Sequence, residues 1–249
     1  MKHVLLPLLL LPAPLRLLAA DSTIPAPVNI PALPKTASGW RTGAKVLVYT
    51  GLTAVTYRFG DAAIRRFTQS KLTAPERDVS RAISHLGEDR YAWMACGALT
   101  VAGFCRRNER MRHTSAIWAG GLALSDFATG RLKYGIQRHR PSSGSAYNSF
   151  DGPGGPRRHT SFSSAHTATA FATATAFALA YREKRWVAPV SYGLASLVGA
   201  SRITNNAHWA SDVLVGAAIG HLSVRASDWL YRKVGEGRAR SKAKKVVAF

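Results

Sequence analysis

The chain has 249 residues, 47% of them hydrophobic, with 34 Lys and Arg against 13 Asp and Glu and a formal charge of +21. That apolar share supports one domain with a sizeable core and excludes a disordered chain. So large a basic excess calls for anionic partners: nucleic acid, acidic lipid headgroups or phosphorylated substrates.

The N-terminus narrows the choice. Lys2 and His3 precede an apolar run over residues 4–11, and a Leu-rich stretch ends at Leu18-Ala19-Ala20. A basic start, an apolar centre and a small-residue end predict a secretory signal peptide over residues 1–20. Pro7, Pro12, Pro14 and Arg16 interrupt the run an uncleaved anchor would need. The expectation is an exported, periplasmic protein, soluble or membrane-associated. Nucleic acid is then not a partner, whereas a phosphorylated substrate (a lipid among them) and an anionic membrane surface remain. Pro25, Pro27, Pro31 and Pro34 make residues 21–38 an extended arm.

Residues 39–235 form the expected domain. Apolar segments with helical spacing cover residues 46–57, 91–104, 115–128, 165–181, 187–200 and 213–224, and no strand alternation competes with them. The fold class is all-α, a bundle of six or more helices. Ala, Gly and Thr supply much of each run, and mean hydropathy is −0.05. These features favour a soluble or peripherally attached domain over an integral one. Cys96 and Cys105, nine residues apart on one helix, would lie about 13 Å apart, too far for a disulfide. Residues 142–161, rich in Ser, Gly and Pro, predict a functional loop. Residues 236–249 form a basic tail, read as a solvated, frayed terminus.

Three stretches carry chemistry. Lys133 and Arg140 are seven residues apart, almost two helical turns, which places two cations on one face before Pro141 stops the helix. Such a pair suits a phosphate, Arg as a planar fork and Lys as a point charge. In the second stretch Ser161, Ser163 and Ser164 are candidate caps for the helix that follows, whose first turn offers free N–H groups to an anion and contains His166. In the third, His208 and Asp212 share a helical face. Asp212 is expected to accept a hydrogen bond from one imidazole nitrogen, leaving the other free to attack. Arg202 lies just upstream as a third cation. Each stretch alone also fits an ordinary solvated surface.

Together, Lys133-x6-Arg140-Pro141, Ser163-Ser164-Ala165-His166 and Ser201-Arg202-x5-His208-x3-Asp212 resemble the signature of the phosphatidic acid phosphatase type 2 / vanadium haloperoxidase superfamily. The middle block departs from it twice, with Ser163 where Pro is usual and Ala165 where Gly is usual. The resemblance implies an acid phosphatase/vanadium haloperoxidase-like helical bundle and hydrolysis of a phosphate ester without a metal. It assigns His208 as nucleophile, Asp212 as its orienter and His166 as general acid. Lys133, Arg140, Arg202, Ser164 and the Ala165 amide would hold the phosphate oxygens. No cofactor is expected, vanadate serving as a phosphate mimic or, in a haloperoxidase, as cofactor. An inactive binder of anionic lipid is a further alternative. Lipid-linked phosphates and small soluble esters are both open as substrates. The other histidines form no ligand-spaced set, although His139 and His159 are near enough in sequence to line the site.

Overall fold

The computed structural model describes residues 39–247 apart from 157–158, so the expected signal peptide and Pro-rich arm lie outside the described residues. Among the described residues, eight α-helices follow one another: α1 (Gly39–Val55), α2 (Asp61–Lys71), α3 (Ala74–His85), α4 (Asp89–Cys105), α5 (Glu109–Ile136), α6 (Ala165–Ala180), α7 (Val187–Thr204) and α8 (Ala210–Val247). A π-helical turn, Thr56–Gly60, joins α1 to α2. The all-α expectation holds, and the six apolar segments fall on α1, α4, α5, α6, α7 and α8. The two further helices are polar. Helix α3 announces itself only by its start, where Thr73 and Glu76 form a capping box ahead of an amphipathic turn. Helix α8 continues to Val247 and so takes in the expected basic tail as far as the described residues go.

Helix α6 occupies the centre, packed against α5, α7 and α8. One face contributes Ala172 and Ala176 to a cluster with Ala92, Cys96, Ile117, Trp118, Leu122 and Val224. The opposite side contributes Ala170 and Ala174 to a second cluster with Ala195 and Val198. A helix buried on all sides needs small residues if its neighbours are to come close. Its Thr hydroxyls find acceptors within the helix: Thr173 donates to the Thr169 carbonyl and Thr175 to that of Phe171.

Glycines on α8 set the approach. A Cβ on Gly216 would stand 2.4 Å from the Ser164 carbonyl oxygen, and one on Gly220 2.1 Å from that of Ala168. Both obstacles are backbone and cannot swing aside. Gly216→Val should therefore destabilise the fold by about 1–3 kcal/mol through overpacking, read from chemical denaturation. It should also lower activity, because Ser164 opens the helix that carries His166. Cys96 is buried and Cys105 exposed, and both are free thiols as their spacing requires.

Candidate active site

The three stretches meet at the ends of α5, α6, α7 and α8. Helix α5 stops at Ile136 because Gln137 adopts a left-handed conformation (φ 49°, ψ 51°) while its N–H still bonds the Lys133 carbonyl. Arg140 is therefore outside the helix, in extended backbone (φ −77°, ψ 152°) set by Pro141. The two cations do not share a helical face as their spacing suggests. A chain reversal brings Arg140 back toward Lys133. Lys133 is lowered by burial first and by Arg140 and Arg202 as well, and Arg202 is lowered by burial and by Arg140. Among the described residues no carboxylate lies within ion-pair distance of Lys133, Arg140 or Arg202. The buried Arg202 Nε has no protein hydrogen-bond partner. Asp89 and Asp126 act on Lys133, and Glu88 on Arg202, only from beyond that distance, so three clustered cations without a direct ion pair form a receptor for an anion.

Of the three candidate caps, Ser164 caps α6. Its Oγ accepts from the Thr167 hydroxyl at 2.9 Å and the Thr167 N–H at 3.5 Å. Its own N–H is committed to the Asp212 carbonyl at 3.1 Å. What Ser164 can still give a phosphate is its hydroxyl proton, together with the first-turn N–H groups of Ala165 and His166 that no helix can satisfy internally. The buried Ser163 Oγ has no partner in the protein.

His208 and Asp212 do not lie four apart on a helix, because α8 begins at Ala210. Asp212 sits in its first turn and accepts the Trp209 N–H at 3.0 Å. The imidazole hydrogen bond expected between the two is also rerouted. His208 Nδ1 donates to the Ser161 carbonyl at 2.7 Å, while the Asp212 carboxylate is 3.7 Å away, within electrostatic but not hydrogen-bond range. A carbonyl only accepts, so Nδ1 carries the proton and Nε2 keeps its lone pair. Burial holds His208 below its ordinary range against the opposing pull of Asp212, and Arg140 and Arg202 push the same way as burial. The ring is neutral at pH 7 and able to attack.

Asp212 is tied to Ser161, whose Oγ donates to Oδ2 at 2.6 Å. Its other oxygen accepts from Arg138 Nη1, also at 2.6 Å. Burial alone would raise this carboxyl; His208, Arg138 and Ser161 overcome that and hold it low. Arg138 in turn pairs through Nη2 with Asp61 at 2.7 Å, and Asp61 accepts the Ser211 N–H and hydroxyl. The guanidinium lies near the rings of Tyr57, Phe150 and Trp209, and its side chain is 1% exposed. Neither Arg138 nor Asp61 nor the role of Ser161 is legible in the motif spacing.

His166 sits in the first turn of α6. Burial first, then Arg202 and His208, lower it to about 4. Its support is close on the far side: a Cβ on Gly87 would lie 2.8 Å from the His166 carbonyl oxygen. The unfolded chain takes up this proton near pH 6.5 and the folded chain only near 4. The stability contribution of the neutral ring is thus complete above 6.5 and is lost as pH falls toward 4. His166→Gln should flatten this part of the profile in denaturant midpoints measured from pH 7 to 4.

The expected loop carries local structure, with a 3₁₀ turn over Pro141–Ser143 and a β-bridge from Arg138 to Phe150. One sequence expectation about the surroundings changes. His139 and His159, twenty residues apart, stack face to face beside Asp151. Ligand spacing along the chain conceals this because the loop folds back on itself.

Residues 114–236 match the model of the PAP2 superfamily. Over 111 residues the chain is 43% identical to the lipid A 1-phosphatase of Porphyromonas gingivalis, an alignment that covers 44% of this chain and 22% of that protein. The match thus spans about a fifth of that relative's length. A transmembrane PAP2-type phosphatidylglycerolphosphate phosphatase from Bacillus subtilis has a similar structure, with a TM-score of 0.61 at 20% identity, covering 78% of this chain and 98% of that one. Aquifex aeolicus LpxE is similar with a TM-score of 0.52 at 23% identity, over 67% of this chain and 93% of that one. At these identities the two structures speak for the fold alone. The matched segment contains Lys133, Arg140, His166, Arg202, His208 and Asp212, and with it the chain carries a PAP2 superfamily domain.

Proposed function

We propose that the chain is a phosphatase that hydrolyses a lipid-linked phosphate ester through a phosphohistidine at His208. The observation that carries this reading is the buried, neutral His208, fixed by the Ser161 carbonyl so that Nε2 is the nucleophilic nitrogen, beside three cations that lack a direct ion pair. In the first step the Nε2–phosphorus bond forms and the bond to the leaving oxygen breaks, that oxygen taking a proton from His166. In the second, water attacks phosphorus, His166 takes the water's proton, and the phosphorus–nitrogen bond breaks. A ring held near 4 carries little proton in the free enzyme. The bound phosphate's negative charge opposes the push of Arg202 and restores the proton where it is used. Lys133, Arg140 and Arg202 supply the charge stabilisation that phosphoryl transfer requires, which supports chemistry without a metal at phosphorus.

A lipid substrate is supported by the named activity of the Porphyromonas relative. It is also supported by large apolar side chains left exposed on the helices, among them Leu47, Phe59, Met94, Val101 and Phe127. No helix among the described residues is long and apolar enough to cross a membrane. The reading is therefore of a basic protein pressing apolar helix faces against an anionic lipid surface after export.

The test is phosphate release from a phosphorylated lipid in mixed micelles, in the presence of EDTA, with rapid quenching to trap the enzyme. The expected result is chelator-resistant turnover, competitive inhibition by orthovanadate and an acid-labile, base-stable phosphoenzyme. Release of soluble phosphomonoesters at equal efficiency would remove the lipid from the reading. A protein that turns over no phosphate ester would remove the phosphatase.

A further inference from the structure

His139, Asp151 and His159 stand outside the phosphate cradle, yet three backbone hydrogen bonds pin their stretches of chain together. The His139 N–H bonds the Ser149 carbonyl at 3.0 Å, the Asp151 N–H that of Gln137 at 3.2 Å, and the Ser161 N–H that of Arg138 at 3.0 Å. His139 Nε2 lies 2.9 Å from one Asp151 carboxylate oxygen and His159 Nε2 lies 3.7 Å from the other. One potential ligand atom from each residue falls within 4.8 Å of the other two. The side chains are 20%, 24% and 29% exposed for His139, Asp151 and His159, so an ion could reach them from solvent.

We propose that these three residues form a zinc site that clamps the 142–161 loop beside the active site. Two imidazole nitrogens and one carboxylate are a donor set suited to zinc, and they leave one tetrahedral position for water. The rings now stack, with centroids 3.6 Å apart and planes 13° from parallel. Their in-plane lone pairs converge on one ion only after a rotation about χ2, for which the rings are open to solvent on one side. Facing an acceptor-only carboxylate, His139 Nε2 carries the proton that the ion must displace to solvent. The outer partner is already in place: Ser145 Oγ lies 2.9 Å from His139 Nδ1 and can accept its N–H once Nε2 is bound to metal. A metal here would not touch phosphorus. It would tie the start of the loop, next to Arg140, to the segment leading into Ser161, whose carbonyl holds His208.

The test is calorimetric titration of zinc into the untagged, metal-stripped full chain without substrate. The expected result is one site in the native protein, weakened by at least about tenfold in His159→Ala and in Asp151→Asn, and unchanged in His85→Ala. Zinc should also protect the 142–161 loop from protease in the native protein, and thermal unfolding without zinc checks that each variant is folded. No binding at micromolar zinc, equal binding by the native protein and both site variants, or zinc bound without loop protection would each overturn the proposal. The readout involves no turnover, so its failure leaves the phosphatase reading standing, and a protein without phosphatase activity can still bind the ion.

Discussion

His208→Ala should reduce turnover by on the order of 10⁴-fold or more and abolish the trapped phosphoenzyme. No other group is placed to take over. Lys133, Arg140 and Arg202 are held as cations for charge rather than attack, and His166, the other nearby imidazole, stands in the proposed mechanism on the leaving-group side. The cradle survives the change, so orthovanadate or phosphate should still bind, and the loss should appear in kcat rather than in affinity. The Ser161 carbonyl loses its donor, at a cost of about 1–3 kcal/mol, small enough for the fold to persist. A variant that keeps its phosphoenzyme would place the nucleophile elsewhere.

Arg138→Met should be the most damaging change outside the reacting groups. It leaves Asp61 and Asp212, both buried, without their shared counter-charge, a situation that typically costs about 3–5 kcal/mol. Activity should fall as well, by roughly 10²-fold, because Asp212 then no longer fixes Ser161, and Ser161 no longer fixes the His208 ring. The loss should lie in kcat with KM little changed, since Arg138 does not face the phosphate. Arg138→Lys should recover only part of either quantity, because one ammonium cannot reach Ser211, both aspartates and the Tyr147 carbonyl as the fork does. Denaturant midpoints and steady-state kinetics on the two variants separate stability from positioning.

What could be read from the sequence followed how local the signal was. The apolar runs of α4, α6 and α7 were visible because burial imposes a helical period on them. Helices α2 and α3 were not, since they are polar and meet α7 and the turn after it largely through side-chain to backbone bonds, such as Gln69 to the Thr204 carbonyl and Ser80 to the Ser201 carbonyl. The candidate residues could be named because the three stretches together resemble a known signature, and most of them sit near helix ends, where sequence shows caps and breakers. Their partners could not be named, because Asp61 and Arg138 meet across 77 residues of chain. The same limit explains the nearer hydrogen-bond partner of His208. A spacing of four suggests a helical pair, but the imidazole proton goes to a backbone carbonyl on a different segment, and no side-chain pattern records a carbonyl.

The bond from the Ser164 N–H to the Asp212 carbonyl, with Gly216 pressed against the Ser164 carbonyl, bears on how this enzyme can change. The turn that carries His166 and the turn that carries Asp212 are riveted main chain to main chain, which under the proposed mechanism holds the spacing of His166 and His208. Mutation can reshape what surrounds the ester but cannot widen the jaws that close on phosphorus. Selectivity among substrates must then evolve in what the group is attached to, through the 142–161 loop and the outer helix faces, while the phosphate itself is met by an unvarying gauge.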